Sequence, residues 1–254
     1  MRTAVWTGAL AVSLLSMPVR PVAAQDPPFE RIQMYTIVVK PGMTSTFEAQ
    51  VKVLNEARAK AKDPVARSFW QASRGGPART FYSVTRFNKW AELEALTMNT
   101  DVLAKAFGER EGVRMSAAMS DLIESADTQV LTVWKGMNSW KDGTWAYAWL
   151  SDSRVRPAGI PQWDQQVAAR VAAAKKAPTS PPTVRYRSTL GPSARYVTAR
   201  FFDKWSDIDG WPELKDVVGQ VEADKIDVLA RGALESGSQY VIRRRPELSY
   251  IPTP

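Results

Sequence analysis

The chain has 254 residues, a net charge of +8, a 44% hydrophobic content, and neither histidine nor cysteine. The two absences exclude the commonest zinc sites, Ser-His-Asp triads, cysteine nucleophiles, iron–sulfur clusters and disulfide staples. The hydrophobic content is too high for disorder and sufficient for a substantial core, so packing alone must hold the fold.

The first segment, "MRTAVWTGALAVSLLSMPVRPVAAQD", has a basic Arg2, an apolar stretch from Ala4 to Leu15, and small residues at Val22, Ala23 and Ala24. That is the layout of a secretory signal, with cleavage expected after Ala24. The apolar stretch is shorter than the roughly 20 residues that span a bilayer, so no stable membrane insertion is expected. Residues 1–24 read as a signal peptide, and the protein as periplasmic or secreted. Removing them takes away Arg2 and Arg20 and leaves 230 residues with a net charge of +6. Such a charge suits anionic ligands, although solubility accounts for it equally well.

"MYTIVVK" (34–40) reads as a strand, and "PG" then turns the chain. "TSTFEAQVKVLNEARAKAK" reads as a helix, with Phe47, Val51, Leu54 and Ala61 on one stripe and Ser45 with Glu48 as a capping box. "ARSFWQAS" (66–73) and "RTFYSVTRF" (79–87) are strands flanking the turn "RGGPA". A helical stretch over 101–123, broken near Gly112, precedes a fourth strand, "TQVLTVWK" (128–135). The second half repeats the order. It runs "TWAYAWL" (144–150), a helix over 160–176, "TVRYRSTL" and "ARYVTARFF" around "GPS", a helix over 212–234, and "SQYVIRR". "RFNKW" (86–90) recurs as "FFDKW" (201–205), and Pro41/Pro157, Phe47/Trp163 and Glu124-Ser125/Glu235-Ser236 keep step with it. The repeat reads as a tandem duplication, with "KGMNSWKDG" (135–143) as the joint. The expected modules are 25–136 and 143–254, and the Pro-rich "APTSPPT" is a loop inside the second.

Two β-α-β-β-α-β units predict an α+β fold of two tandem ferredoxin-like (βαββαβ) modules whose antiparallel sheets pack into an intramolecular α+β barrel. On the third strands, Tyr82, Val84 and Arg86, like Val197, Ala199 and Phe201, form the more apolar set. They are assigned to the helix side. Phe81, Ser83, Thr85 and Phe87, with Tyr196, Thr198, Arg200 and Phe202, are assigned to a polar-lined centre between the sheets.

The "VVKPG" strand-to-helix start, the two central strands and the third strand ending in "RFNKW" resemble the dimeric α+β barrel superfamily. Its members include antibiotic-biosynthesis-monooxygenase-like, stress-responsive barrel and NIPSNAP-like domains, and the resemblance spans residues 31–245. It implies two modules, usually on two chains, fused here in one. Monooxygenase-like members imply chemistry without metal or flavin, performed by Trp, Tyr and Asn side chains. Trp70, Tyr82, Asn88 and Trp90 supply those types, but Trp90 recurs as Trp205 while Asn88 becomes Asp203, so the tryptophans read as packing wedges. Haem-binding members imply a histidine ligand, which this chain lacks, and no cofactor or metal is expected.

The candidate ligand residues lie in the second half. Trp145, Tyr147 and Trp149 line one face of a strand; Arg185 with Arg187, and Tyr196 with Arg200, line faces of its neighbours. If these faces coincide, aromatic planes beside guanidinium groups make a cradle for a planar anion. The competing reading is an edge strand protected by outward charges. "RRRPE" (243–247) reads as a solvated terminus. No catalytic residue is assigned. The expected function is binding of a small aromatic or anionic molecule. The alternatives are a cofactor-independent monooxygenase-like enzyme acting on an aromatic substrate, and a barrel serving only as an interaction module. Export and the lack of an aromatic RNA-binding motif argue against nucleic acid. Further dimerisation is left open.

Overall fold

The structure is a computed structural model describing residues 25–94, 96, 98–177, 179–190 and 194–252. The expected signal peptide (1–24) and the "GPS" turn (191–193) lie outside the described residues. The chain runs β1 (Arg31–Val39), α1 (Thr44–Ala61), β2 (Ser68–Arg74), β3 (Thr80–Phe87), α2 (Asn99–Phe107), α3 (Glu109–Ser120) and β4 (Ile123–Val133). It continues with β5 (Tyr147–Val155), α4 (Ile160–Lys176), β6 (Thr183–Leu190), β7 (Arg195–Phe202), α5 (Ser206–Asp209), α6 (Leu214–Val218), α7 (Gln220–Ala233) and β8 (Leu234–Arg244).

The eight strands close into one antiparallel barrel in the order β1-β3-β2-β8-β5-β7-β6-β4. Two seams join the halves. Trp70 pairs with Arg244 where β2 meets β8, and Tyr186 pairs with Val133 where β6 meets β4. β6 is therefore paired on both sides, and its arginines are not edge protection. Closure removes the unpaired edges that a sheet otherwise exposes.

The hydrogen-bond ladder repeats along with the sequence. Arg31 pairs with Phe87 and Thr132, and Tyr147 with Phe202 and Arg243. Each half carries a bulge at the same place, Val38/Val39 and Arg154/Val155. The recurring phrase has a recurring job. The side chains of Asn88 and Asp203 accept the backbone N–H of Glu30 and Ala146, tying the third strand to the entry of the first. Glu92 and Asp207 cap the turn that follows by accepting from the N–H groups of Lys89 and Lys204. Trp90 and Trp205 then pack edge-on to Phe87 and Phe202 at 5.9 and 5.6 Å.

Three hydrophobic clusters result among the described residues, one inside the barrel and one under the helices of each half, and they reverse the expected faces. Tyr82, Val84, Val197, Ala199 and Phe201 point into the barrel, where they pack with Leu131, Leu150, Tyr186 and Ile242. Phe81 instead lies under the helices with Phe69, Ile37 and the buried stripe of α1, Phe47, Val51 and Leu54. The reason is physical. The closed barrel is the drier compartment because side chains from every strand converge on it, so the more apolar set belongs there. The polar-centred set lies where the helices leave space.

Local differences have equally local causes. Glu48 does not cap α1; its carboxylate accepts from Arg245 at 2.7 Å, and Arg245, buried between Glu48 and Glu247, is a clamp rather than a solvated terminus. The second helical region of each half breaks at Gly108 and Gly219, and β4 and β8 begin earlier than their most β-branched residues indicate. β5 starts at Tyr147, so Trp145 precedes it. The joint is also no passive linker. Its Trp140 is buried edge-on between Phe29 and Phe201, and its buried Asn138 accepts the N–H of Arg185 while donating to Asp26.

Candidate functional site

Six of the seven residues singled out in the sequence share a face. The register sets Trp149 beside Arg200, Arg185 beside Thr198 and Arg187 beside Tyr196, with Tyr147 further along. That face is the one covered by helices. Trp145 is the exception and packs against the barrel interior.

The six divide into three packed groups. Tyr147 stacks on Phe202 at 5.2 Å and meets Trp205 at 5.6 Å. Arg187 lies 3.7 Å over Trp134 and pairs with Asp164 at 2.9 Å, while Tyr196 sits between Trp134 and Trp163. Trp149 faces Trp211 at 6.0 Å, near Arg185 and Arg200. Arg185 donates to the Met137 carbonyl. Burial, then the charges of Arg200 and Arg170, pull Arg185 down to about 10, and burial followed by Arg170 lowers Arg200. Aromatics and guanidinium groups do meet here, but they fill the space themselves.

The first half keeps that space open. A hollow of about 460 Å³ lies between the outer face of β1, β3 and β4 and helices α1–α3. Gln33, Tyr35, Ser83, Thr85 and Thr128 present hydroxyl and amide groups from the sheet, and Phe47 and Phe69 add an aromatic wall. In the second half, Trp149 stands where the first has Gln33, Arg200 where it has Thr85, and Trp211 where it has Leu96. Each replacement is larger.

Charge borders the hollow. Asp63, buried at the end of α1, accepts from Arg67 at 2.6 Å and lies 3.7 Å from Arg58. Two guanidinium groups thus share one carboxylate. Arg58 also donates to Asn55 and Asn99 at 2.9 and 2.8 Å, yet its Nε has no acceptor. Burial, then the charge of Arg67, brings Arg58 down to about 9, so it stays cationic at neutral pH. The complement of this wall is a carboxylate or phenolate oxygen. No Asp or Glu lines the hollow; Tyr35, Arg58 and Arg67 are its titratable groups. Its lining thus offers hydroxyl, amide and guanidinium groups and no carboxylate.

Arg58 was legible in principle: it falls between Leu54 and Ala61 on the apolar stripe of α1, where an arginine is out of pattern. Asp63 and Arg67, four residues apart, follow closely on Arg58, so the charge cluster is local in the sequence and only its burial is decided by the fold. The histidine that the resemblance implies as a haem ligand has no counterpart in this sequence. Among the described residues no cluster of Asp and Glu could hold a metal, and no helix is long and apolar enough to cross a membrane.

No protein-family model matches the sequence, and no curated relative does. Solved structures do resemble it. A candidate monooxygenase from Lactobacillus acidophilus superposes with a TM-score of 0.54 at 8% identity, covering 88% of this chain and 97% of its own. An anthrone oxidase-like protein gives 0.50 at 12%, covering 88% and 95%. A mutant chlorite dismutase from Candidatus Nitrospira defluvii gives 0.52 at 10%, covering 87% and 93%. The likeness is one of fold. The chain is an α+β protein built on a closed eight-stranded antiparallel barrel, and identities this low carry no activity with them.

Proposed function

We propose that this chain is an exported, tandem-duplicated α+β barrel protein that binds a small aromatic molecule, bearing an acidic or hydrogen-bonding oxygen, between the first sheet and α1–α3. Duplication is supported by the ladder that repeats down to its bulges, and export by the signal-like residues 1–24. In this reading each half is a ferredoxin-like module, and residues 25–136 and 143–254 are its two copies.

One observation carries the binding reading: the two halves share their backbone plan, yet among the described residues the first holds a hollow between sheet and helices where the second packs Trp149 against Trp211. Concave sites with an apolar wall and a few placed polar groups are where small ligands bind. Trp149, Arg185 and Arg200 then become the plug of the silent copy rather than the cradle of the active one.

Gln33→Trp, which gives the first half its neighbour's tryptophan, tests this. A panel of phenols and aromatic acids is screened by thermal shift, with mass spectrometry of molecules retained on purification. At least one compound should stabilise the natural chain by about 2.7 kcal/mol at a hundredfold excess over its Kd and leave the variant unmoved. Equal stabilisation of both proteins would place the ligand elsewhere. No retained and no stabilising compound would leave the barrel as an interaction module.

The enzymatic alternative, a cofactor-independent oxygenase, draws on the fold neighbours and on the phenol of Tyr35 in the hollow. Oxygen uptake with a compound found in the same screen decides between binding and turnover.

A further inference from the structure

A second hollow, of about 380 Å³, opens at the end of the barrel beside the joint, and the reading above gives it no role. Trp140 plugs part of that end, lying edge-on to Phe29 at 5.9 Å and to Phe201 at 5.8 Å. Beside the plug, Trp70, Trp145 and Phe201 form the walls, and Arg86 and Arg244 line the space from β3 and β8. Arg86 lies 4.8 Å over the ring of Phe29 and 5.6 Å from that of Trp140. Its surface is open to the hollow even though protein surrounds it on the other sides.

Nothing within the described residues balances these two charges. Neither guanidinium has a carboxylate or side-chain hydrogen-bond partner there, and Glu92, the one carboxylate lining the hollow, is turned to the N–H groups of Asn88 and Lys89. Burial lowers Arg86, and the charge of Arg244 lowers it further. The indole N–H of Trp145 is also buried without an acceptor. Nor does barrel closure require the arginines. At the repeat-related positions the ladder carries Phe201 in place of Arg86 and Val133 in place of Arg244. Both cations stand on one side of the barrel, among aromatic rings.

We propose that this end of the barrel binds an aromatic carboxylate, its ring held by Trp70, Trp145 and Phe201 and its carboxylate shared between Arg86 and Arg244. The anion relieves the repulsion of two like charges and gains charge-assisted hydrogen bonds, while stacking supplies affinity for the ring. Both hollows present guanidinium groups, but the sheet–helix hollow adds hydroxyl and amide groups from the sheet, whereas this one sets Arg86 and Arg244 among indole and phenyl rings. The two spaces adjoin and share Arg67, Thr85 and Leu96, but Arg86 and Arg244 line this one and not the other.

Calorimetric titration with 1-naphthoate and its uncharged counterpart 1-naphthamide tests the site on the full chain. The carboxylate should bind at least about tenfold tighter than the amide, and Arg86→Leu and Arg244→Leu should each erase that preference. Arg244→Gln, which keeps a polar stem, gives the same reading should a leucine variant fail to fold. Gln33→Trp, which changes only the other hollow, should leave naphthoate binding intact. Equal affinity for the two probes, or naphthoate binding untouched by loss of either arginine, overturns the proposal. Loss of naphthoate binding in Gln33→Trp would also overturn it, moving the probe to the sheet–helix hollow and leaving that first reading in place.

Discussion

Tyr82 and Tyr240 stack at 6.2 Å inside the barrel, near a polar cluster in which Arg195 binds both Asp152 and Gln129. Burial, and then the neighbouring Tyr240, raises the Tyr82 phenol above its ordinary value of 10.0, and burial raises Tyr186 likewise. Because the folded values exceed the unfolded ones, the unfolded chain sheds these protons first. The stabilisation they provide is complete below about pH 10 and declines as pH climbs beyond it. Urea midpoints measured near pH 8 and pH 11 should therefore fall less in Tyr82→Phe and Tyr186→Phe than in the natural protein. An identical fall in all three proteins would mean that these phenols do not govern alkaline unfolding. Neither tyrosine lines the two hollows, so this titration belongs to stability and not to ligand binding.

At the scale of elements, the helix breaks are the clearest case of sequence and structure disagreeing. Gly112 looked like the breaker, yet it lies inside α3, where a Cβ would come within 2.3 Å of the Ala104 backbone nitrogen. Its service is close packing of α3 on α2. The breaks fall at Gly108 and Gly219, whose φ angles of 91° and 82° lie with ψ near 155° in a region essentially reserved for glycine. Both sites have open space around a built Cβ, so alanine meets no clash and the cost is purely conformational. Gly108→Ala and Gly219→Ala should each lower unfolding free energy by about 1–3 kcal/mol, and by similar amounts, in denaturant titrations. A large difference between them would show that the two junctions, alike in backbone, are held by different surroundings.

For the whole molecule, the decisive feature is that the ladder has no end. Each half meets the other along two seams, and the barrel core draws on strands from both. The joint adds Trp140 and Asn138 to that shared interior. Neither half can open without exposing the core of the other. Unfolding should accordingly be one cooperative transition, with tryptophan fluorescence and far-ultraviolet circular dichroism giving coincident curves. Two separated transitions would mean that the modules are energetically independent despite their common barrel.

The alternation of strands and helices along the chain and its lack of histidine are local or counting properties. Periodicity and composition therefore determined them, and the ladder follows the same plan. The sequence also picked out six side chains that do share a face, because alternation along a strand is dictated by the pleat itself. Which side of the sheet that face meets is another matter. Tyr82 and Phe81 sit side by side in sequence and in opposite cores in space, since burial on either side rewards the same residue types. Tertiary structure alone brought Arg86 and Arg244 to one hollow at the barrel's end, and left a hollow beside Gln33 where Trp149 packs on Trp211 in the other half. Those outcomes depend on distances between residues far apart in the chain, and no spacing along it encodes them.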